Sequence, residues 1–140
     1  MYRFPIIHYI DNMTIELFTL CDGAYNYNGK LTIVGTLTSL GVPRVPVNIQ
    51  LGLAMKIKVA SEESGTKQMT IRFVNPDGTN IPADLTVRLD LVPKKETSFI
   101  SLAANVQNLP ITQLGELTIK VLIDNSWLSE YHINVAIKDN

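Results

Sequence analysis

The stretch LCDGAYNYNGKLTIVGTL, residues 20–37, decides the fold. Asn28-Gly29 at its centre is the strongest short-range signal for a two-residue β-turn, because a type I′ turn needs positive φ at both central positions. The turn sets Tyr27 opposite Lys30, and every further pair then has positions summing to 57. Asn26 faces Leu31, Ala24 faces Ile33, Leu20 faces Leu37 and Phe18 faces Ser39. The other face carries Cys21 against Thr36, Thr19 against Thr38 and Tyr25 against Thr32. Turn chemistry and side-chain pattern select the same apolar face, and a slip of one residue would expose Leu31, Ile33 and Leu37.

Outward from this hairpin the hydrophobic period stays at two. Leu51, Leu53, Met55, Ile57 and Val59 alternate with Gln50, Gly52, Ala54, Lys56 and Lys58, the signature of a half-buried strand. The same parity recurs in Met69-Ile71-Phe73, Leu85-Val87-Leu89-Leu91, Leu117-Ile119-Val121-Ile123 and Tyr131-Ile133-Val135-Ile137. Residues 61–67 with Gly65, Asn75-Pro76-Asp77-Gly78 and Asp124-Asn125-Ser126 are turn signals short enough to join antiparallel neighbours. Leu17 to Leu20 is apolar on both parities apart from Thr19, which implies a bulge or a strand covered on both sides. Pro43 and Pro46 remove two ladder donors, so this segment reads as a crossover between sheets. Only 103–114 has room for a helical turn, and Pro110 interrupts it.

About eight strands are expected, at 14–26, 30–40, 49–59, 68–75, 84–92, 97–103, 116–124 and 127–138. So many apolar faces in so short a chain require two sheets face to face: an all-β, antiparallel sandwich of immunoglobulin-like or related Greek-key type. A closed barrel is the lesser alternative. The whole chain, 1–140, reads as a single sandwich domain, with 1–13 as an N-terminal arm.

Twelve Lys+Arg against thirteen Asp+Glu, a net charge of −1, do not make the basic field of a nucleic-acid binder. No run of about 18 apolar residues suggests a membrane span, and the opening residues lack the apolar core of a signal peptide, so a cytoplasmic location is expected. The lone Cys21 excludes an intramolecular disulfide.

Little catalytic chemistry is legible. Cys21 would need a base to form thiolate, and His8 and His132 are far away in sequence. Asp22 falls on the core parity of the hairpin opposite Gly35. It reads either as a carboxylate accepting backbone N–H bonds, or as an acid in a pocket between the sheets. No cluster of His, Cys and carboxylates has metal-ligand spacing, and Asn75-Pro76-Asp77-Gly78 lacks the alternating acids of a calcium loop, so no metal is expected. Neither a phosphate-cradling glycine motif nor a nucleophile elbow occurs, and no cofactor is implied. Lys56, Lys58, Arg72, Arg88 and Lys120 take the outward parity, split between sheets and offset by Asp90, Glu116 and Glu130, as solubilising residues do. Tyr25, Tyr27, Trp127 and Tyr131 sit near two turns, where exposed rings would stack on a sugar or a partner protein. The sequon at Asn12 matters only in a secretory pathway.

The order Cys21-Asp22-Gly23-Ala24, then Asn28 to Gly35, Pro43 to Pro46, Ile71 to Gly78 and Gly115-Glu116-Leu117 resembles a family of small bacterial β-sandwich domains of unknown function. The resemblance covers roughly 14–138. It implies a β-sandwich of cytoplasmic bacterial origin and brings no catalytic residue with it.

The function expected is a non-catalytic binding or assembly module working through an outer sheet face, a loop end or an edge strand. The partner expected is a protein rather than nucleic acid or membrane, and open strand edges make a homodimer plausible. A carbohydrate-binding domain using the aromatic residues is the alternative. A small enzyme using Asp22 or Cys21 comes third and demands a concave pocket beside them.

Overall fold

The computed structural model describes residues 13–61, 63–93 and 95–138. Its nine strands are β1 (Met13–Tyr27), β2 (Lys30–Thr36), β3 (Ser39–Val42), β4 (Val47–Val59), β5 (Gly65–Val74), β6 (Leu85–Leu91), β7 (Ser98–Ile111), β8 (Gly115–Ile123) and β9 (Ser126–Ile137). They form two sheets: sheet A in the order β2-β1-β4-β7, and sheet B in the order β3-β9-β8-β5-β6. The fold is the expected two-sheet sandwich, immunoglobulin-like in that β7 leaves sheet B between β6 and β8 and lies beside β4 in sheet A. Among the described residues no helix is long and apolar enough to cross a membrane.

The period of two does the packing. Leu51, Leu53, Met55 and Ile57 of sheet A meet Met69, Ile71, Phe73, Ile119 and Val121 of sheet B, all at most 2% exposed. Each such side chain contributes about 1.5–3 kcal/mol relative to leaving it in water, so the interleaved faces carry most of the stability. The first hairpin has the expected register from Cys21↔Thr36 to Tyr27↔Lys30, with Asn28 at φ 53° and Gly29 at φ 80°. Beyond it, the N–H of Leu37 donates to the carbonyl of Leu20 at 2.8 Å.

Several expectations are corrected. The strand expected over 30–40 is two strands in different sheets: Gly35 takes φ 65°, β2 ends at Thr36, and β3 crosses to pair in parallel with β9. Ser39 therefore pairs with Asn134 and not with Phe18, and sheet B is mixed rather than purely antiparallel. The turn expected at 61–67 closes no hairpin: the chain passes between Val59 and Gly65 from β4 in sheet A to β5 in sheet B, and 65–67 already belong to β5. No helical turn forms within 103–114; β7 runs on through Pro110, which an edge strand tolerates because no neighbour needs its missing N–H. A bulge between Val106 and Leu109, with Asn108 at φ 54°, absorbs one extra residue against β4. Met13 is not part of an arm but a fully buried member of β1; the rest of that segment, with His8 and Asn12, lies outside the described residues.

Candidate functional site

Strand β1 serves two partners in turn. Up to Cys21, opposite Gly52, it lies beside β4. A bulge at Glu16 resets its parity, so that Phe18 and Leu20 face the core while Leu17, Thr19 and Cys21 face outward. From Asp22 on, β1 pairs only with β2, and the hairpin leaves the sheet. Its far end reaches β7, although β4 lies between β1 and β7. The side chain of Asn105 accepts from the N–H of Ala24 at 3.1 Å and donates to the carbonyl of Ala24 at 2.9 Å. Asn26 donates to the carbonyl of Ser101 at 3.0 Å. Asn105 stands opposite Gly52 and Ser101 opposite Lys56, so the hairpin runs back over the outer face of its own sheet as a flap.

Small residues make room for it. Cys21, Ala24 and Ala54 are at most 1% exposed and form a second core, with Leu31, Ile33 and Ala103 packed against it. A Cβ at Gly52 would stand 2.9 Å from the Cα of Gly23 and 2.9 Å from the Cys21 sulfur, so only glycine lets the ribbon cross there. Sequence reasoning missed the flap. Its signal was present as Gly52, Ala54, Ala103 and Asn105 on the outward parity of two neighbouring strands, where solvated strands carry longer polar side chains.

The opposite face of the flap is open. Tyr25, Tyr27 and Val34 are 47%, 64% and 53% exposed and share one side of the ribbon. The Tyr25 ring leans back over Gly23, where a Cβ would come within 3.0 Å of the phenol oxygen. Trp127 and Tyr131 do not join them. Trp127 pairs with Leu122 in sheet B. Tyr131 is half-buried and stacks on Phe18, the ring centroids 3.8 Å apart and the planes 8° from parallel; burial pushes its phenol pKa up.

Where β1 leaves the sheet a cleft of about 730 Å³ opens, lined by Asp22, Leu37, Ser39, Ile49, Gln50 and Lys138 among others. Asp22 is exposed at its rim, which corrects the reading of a core-facing carboxylate: the ribbon bends away at this residue, so the inward parity points to the opening. The carboxylate lies over Gly35, where a side chain would collide with it, and accepts no hydrogen bond from any described residue. Lys138 lies across Gly41 in the same manner.

The other chemistry-bearing side chains are held in local contacts. Cys21 is fully buried, and its thiol donates to the carbonyl of Gly23 at 3.3 Å. Burial raises its pKa, and the Asp22 charge adds to the rise, so the thiol stays protonated. His132 is engaged on sheet B with Glu116 at 3.2 Å and Glu130 at 3.1 Å. Arg72 pairs with Asp84 and Arg88 with Asp90, each at 3.0 Å, and Lys56 sits 5.2 Å over the Phe99 ring. No three His, Cys, Asp or Glu gather into a metal site among the described residues.

No curated protein matches the chain. Among solved structures it is similar to an immunoglobulin-like protein from Pseudomonas aeruginosa, at 16% identity and a TM-score of 0.41 over 89% of this chain and 96% of that one. It is also similar to part of the alkylpurine DNA glycosylase AlkC of Pseudomonas fluorescens, solved with DNA containing an abasic site analogue. That match has 10% identity and a TM-score of 0.46, over 88% of this chain and 30% of the glycosylase. The family model that matches covers residues 16–136, and the chain belongs to that family, a family of unknown function (DUF6941).

Proposed function

We propose that the protein is a non-catalytic binding or assembly module that engages another protein through the outward face of the β1–β2 flap. One observation carries this reading: Tyr25, Tyr27 and Val34 are exposed together on a hairpin pinned by Asn105 and Asn26. Rings held on a fixed ribbon bring large contact area with little entropy left to lose on binding, which is why tyrosine dominates many interface centres. The buried, protonated Cys21 offers no accessible thiolate, which weighs against the Cys21 form of the small-enzyme reading.

A photo-crosslinking phenylalanine analogue at position 27, expressed in the native cell, is expected to trap a defined protein. The product should disappear on Tyr25→Ser, and the same probe at Glu116 on sheet B should trap nothing. Equal products from both positions would end the proposal. Light scattering then reads whether the partner is a second copy of this chain. A glycan-array signal that needs Tyr25 and Tyr27 would move the reading to the carbohydrate alternative; Trp127, on the other sheet, would play no part in it.

A further inference from the structure

The departure of β1 leaves the first five residues of β4, 47–51, with one neighbour. Val47, Asn48, Ile49 and Leu51 pair with β7, but pairing with β1 begins only at Gly52. No other backbone group among the described residues bonds to this edge. Inside a sheet such an edge is a template for one more strand, and proteins usually cover it or break it with charge. Here it opens into the 730 Å³ cleft, with Ile49 and Gln50 on its wall. Five residues of edge span about 17 Å, enough to seat a short extended peptide.

The cleft also has the side-chain features of a peptide groove. Leu37, Leu40 and Ile49 offer apolar seats for alternate side chains, while Ser39 and Gln50 offer polar contacts. Asp22 and Lys138 bring opposite charges to its lining, and neither is engaged with another described side chain. A carboxylate and an ammonium in one groove, each without a partner among the described side chains, complement a segment that carries a cation and an anion, and they select its direction.

We infer that this cleft binds an extended segment of another protein by strand addition to Val47–Leu51 of β4. Asp22 receives a Lys or Arg of that segment, and Lys138 receives an acidic residue. Main-chain hydrogen bonds supply the affinity, and the two charges set the orientation. The site is separate from the tyrosine face of the flap, so either proposal stands without the other.

The test begins with amide exchange in the full-length chain. Alternate amides of 47–51, those directed away from β7, should exchange fast, whereas those of 53–57 stay protected. Slow exchange at every position would show that the chain already covers this edge and would overturn the inference. The probe is then the capped peptide Gly-Lys-Val-Thr-Val-Glu-Gly, with the Lys and Glu exchanged in a second version and the central amides N-methylated in a third. One charge order should shift the amide resonances of 48–51. Asp22→Asn should weaken it about two- to fivefold, the range for an exposed ion pair, and N-methylation should abolish it. No shift at these amides with either order at millimolar peptide, or shifts indifferent to N-methylation, would refute strand addition.

Discussion

Asn105→Ala tests whether the flap is held as described. The substitution removes both bonds to Ala24, at 3.1 and 2.9 Å, and leaves the N–H and carbonyl of Ala24 facing a half-buried gap. An unmatched backbone pair of this kind costs about 1–3 kcal/mol. Most of that cost falls on the closed flap, because the sandwich core on the inner side of β4 and β7 is untouched. Cys21 reports the opening, since it is fully buried beneath the ribbon and unreactive while covered. If closure loses about 2 kcal/mol, the open population rises roughly 30-fold, and labelling of the thiol by a disulfide reagent should accelerate by a similar factor. Global unfolding by urea, measured in parallel, should shift by no more than the same free energy. An unchanged labelling rate would refute the account of the flap. So would a rate that follows only the global unfolding constant across denaturant, because Cys21 would then be freed by unfolding of the sandwich and not by lifting of the hairpin.

Gly52→Ala should destabilise by about 1–3 kcal/mol in denaturant unfolding, because the new methyl overlaps the Gly23 backbone at the crossing; a neutral result would deny the close approach. Phe73→Ala empties the centre of the inter-sheet core and should cost about 3–5 kcal/mol by the same measurement. Asp77 accepts from the hydroxyl and N–H of Thr79 at 2.6 and 3.0 Å, and chiefly the hydroxyl bond lowers its pKa below the usual carboxylate value. Its share of stability is therefore present above the unfolded carboxylate pKa and is lost as pH falls through the lower folded value. Carboxyl NMR should show a depressed midpoint that rises in Thr79→Val, and an identical midpoint in the variant would remove the assignment.

The residues that determine register acted locally, which is why they were legible. Asn28 and Gly29 both take positive φ, and the pairs they dictate hold from Cys21 to Tyr27 because each follows from its neighbour. Alternation in β4, β5, β8 and β9 likewise announced one apolar face per strand, and two such faces can only close on each other. The double-faced run from Leu17 to Leu20 was readable as a bulge or a doubly covered strand; the bulge occurs, at Glu16, while the outward-facing Leu17 stays 39% exposed and the flap covers Cys21 instead.

What remained hidden depends on contacts between residues distant in the chain. Nothing local tells a strand which sheet it will join, so the split after Thr36, the parallel union of β3 with β9 and the crossing between Val59 and Gly65 emerged only with the packed sheets. Asp22 illustrates the limit: its parity is inward, yet the ribbon bends at that residue and delivers the carboxylate to a cleft. Alternation determines which side of a strand is apolar. The direction that side points in space is decided by where the strand bends and by what lies across it, here Asn105, 81 residues from Ala24.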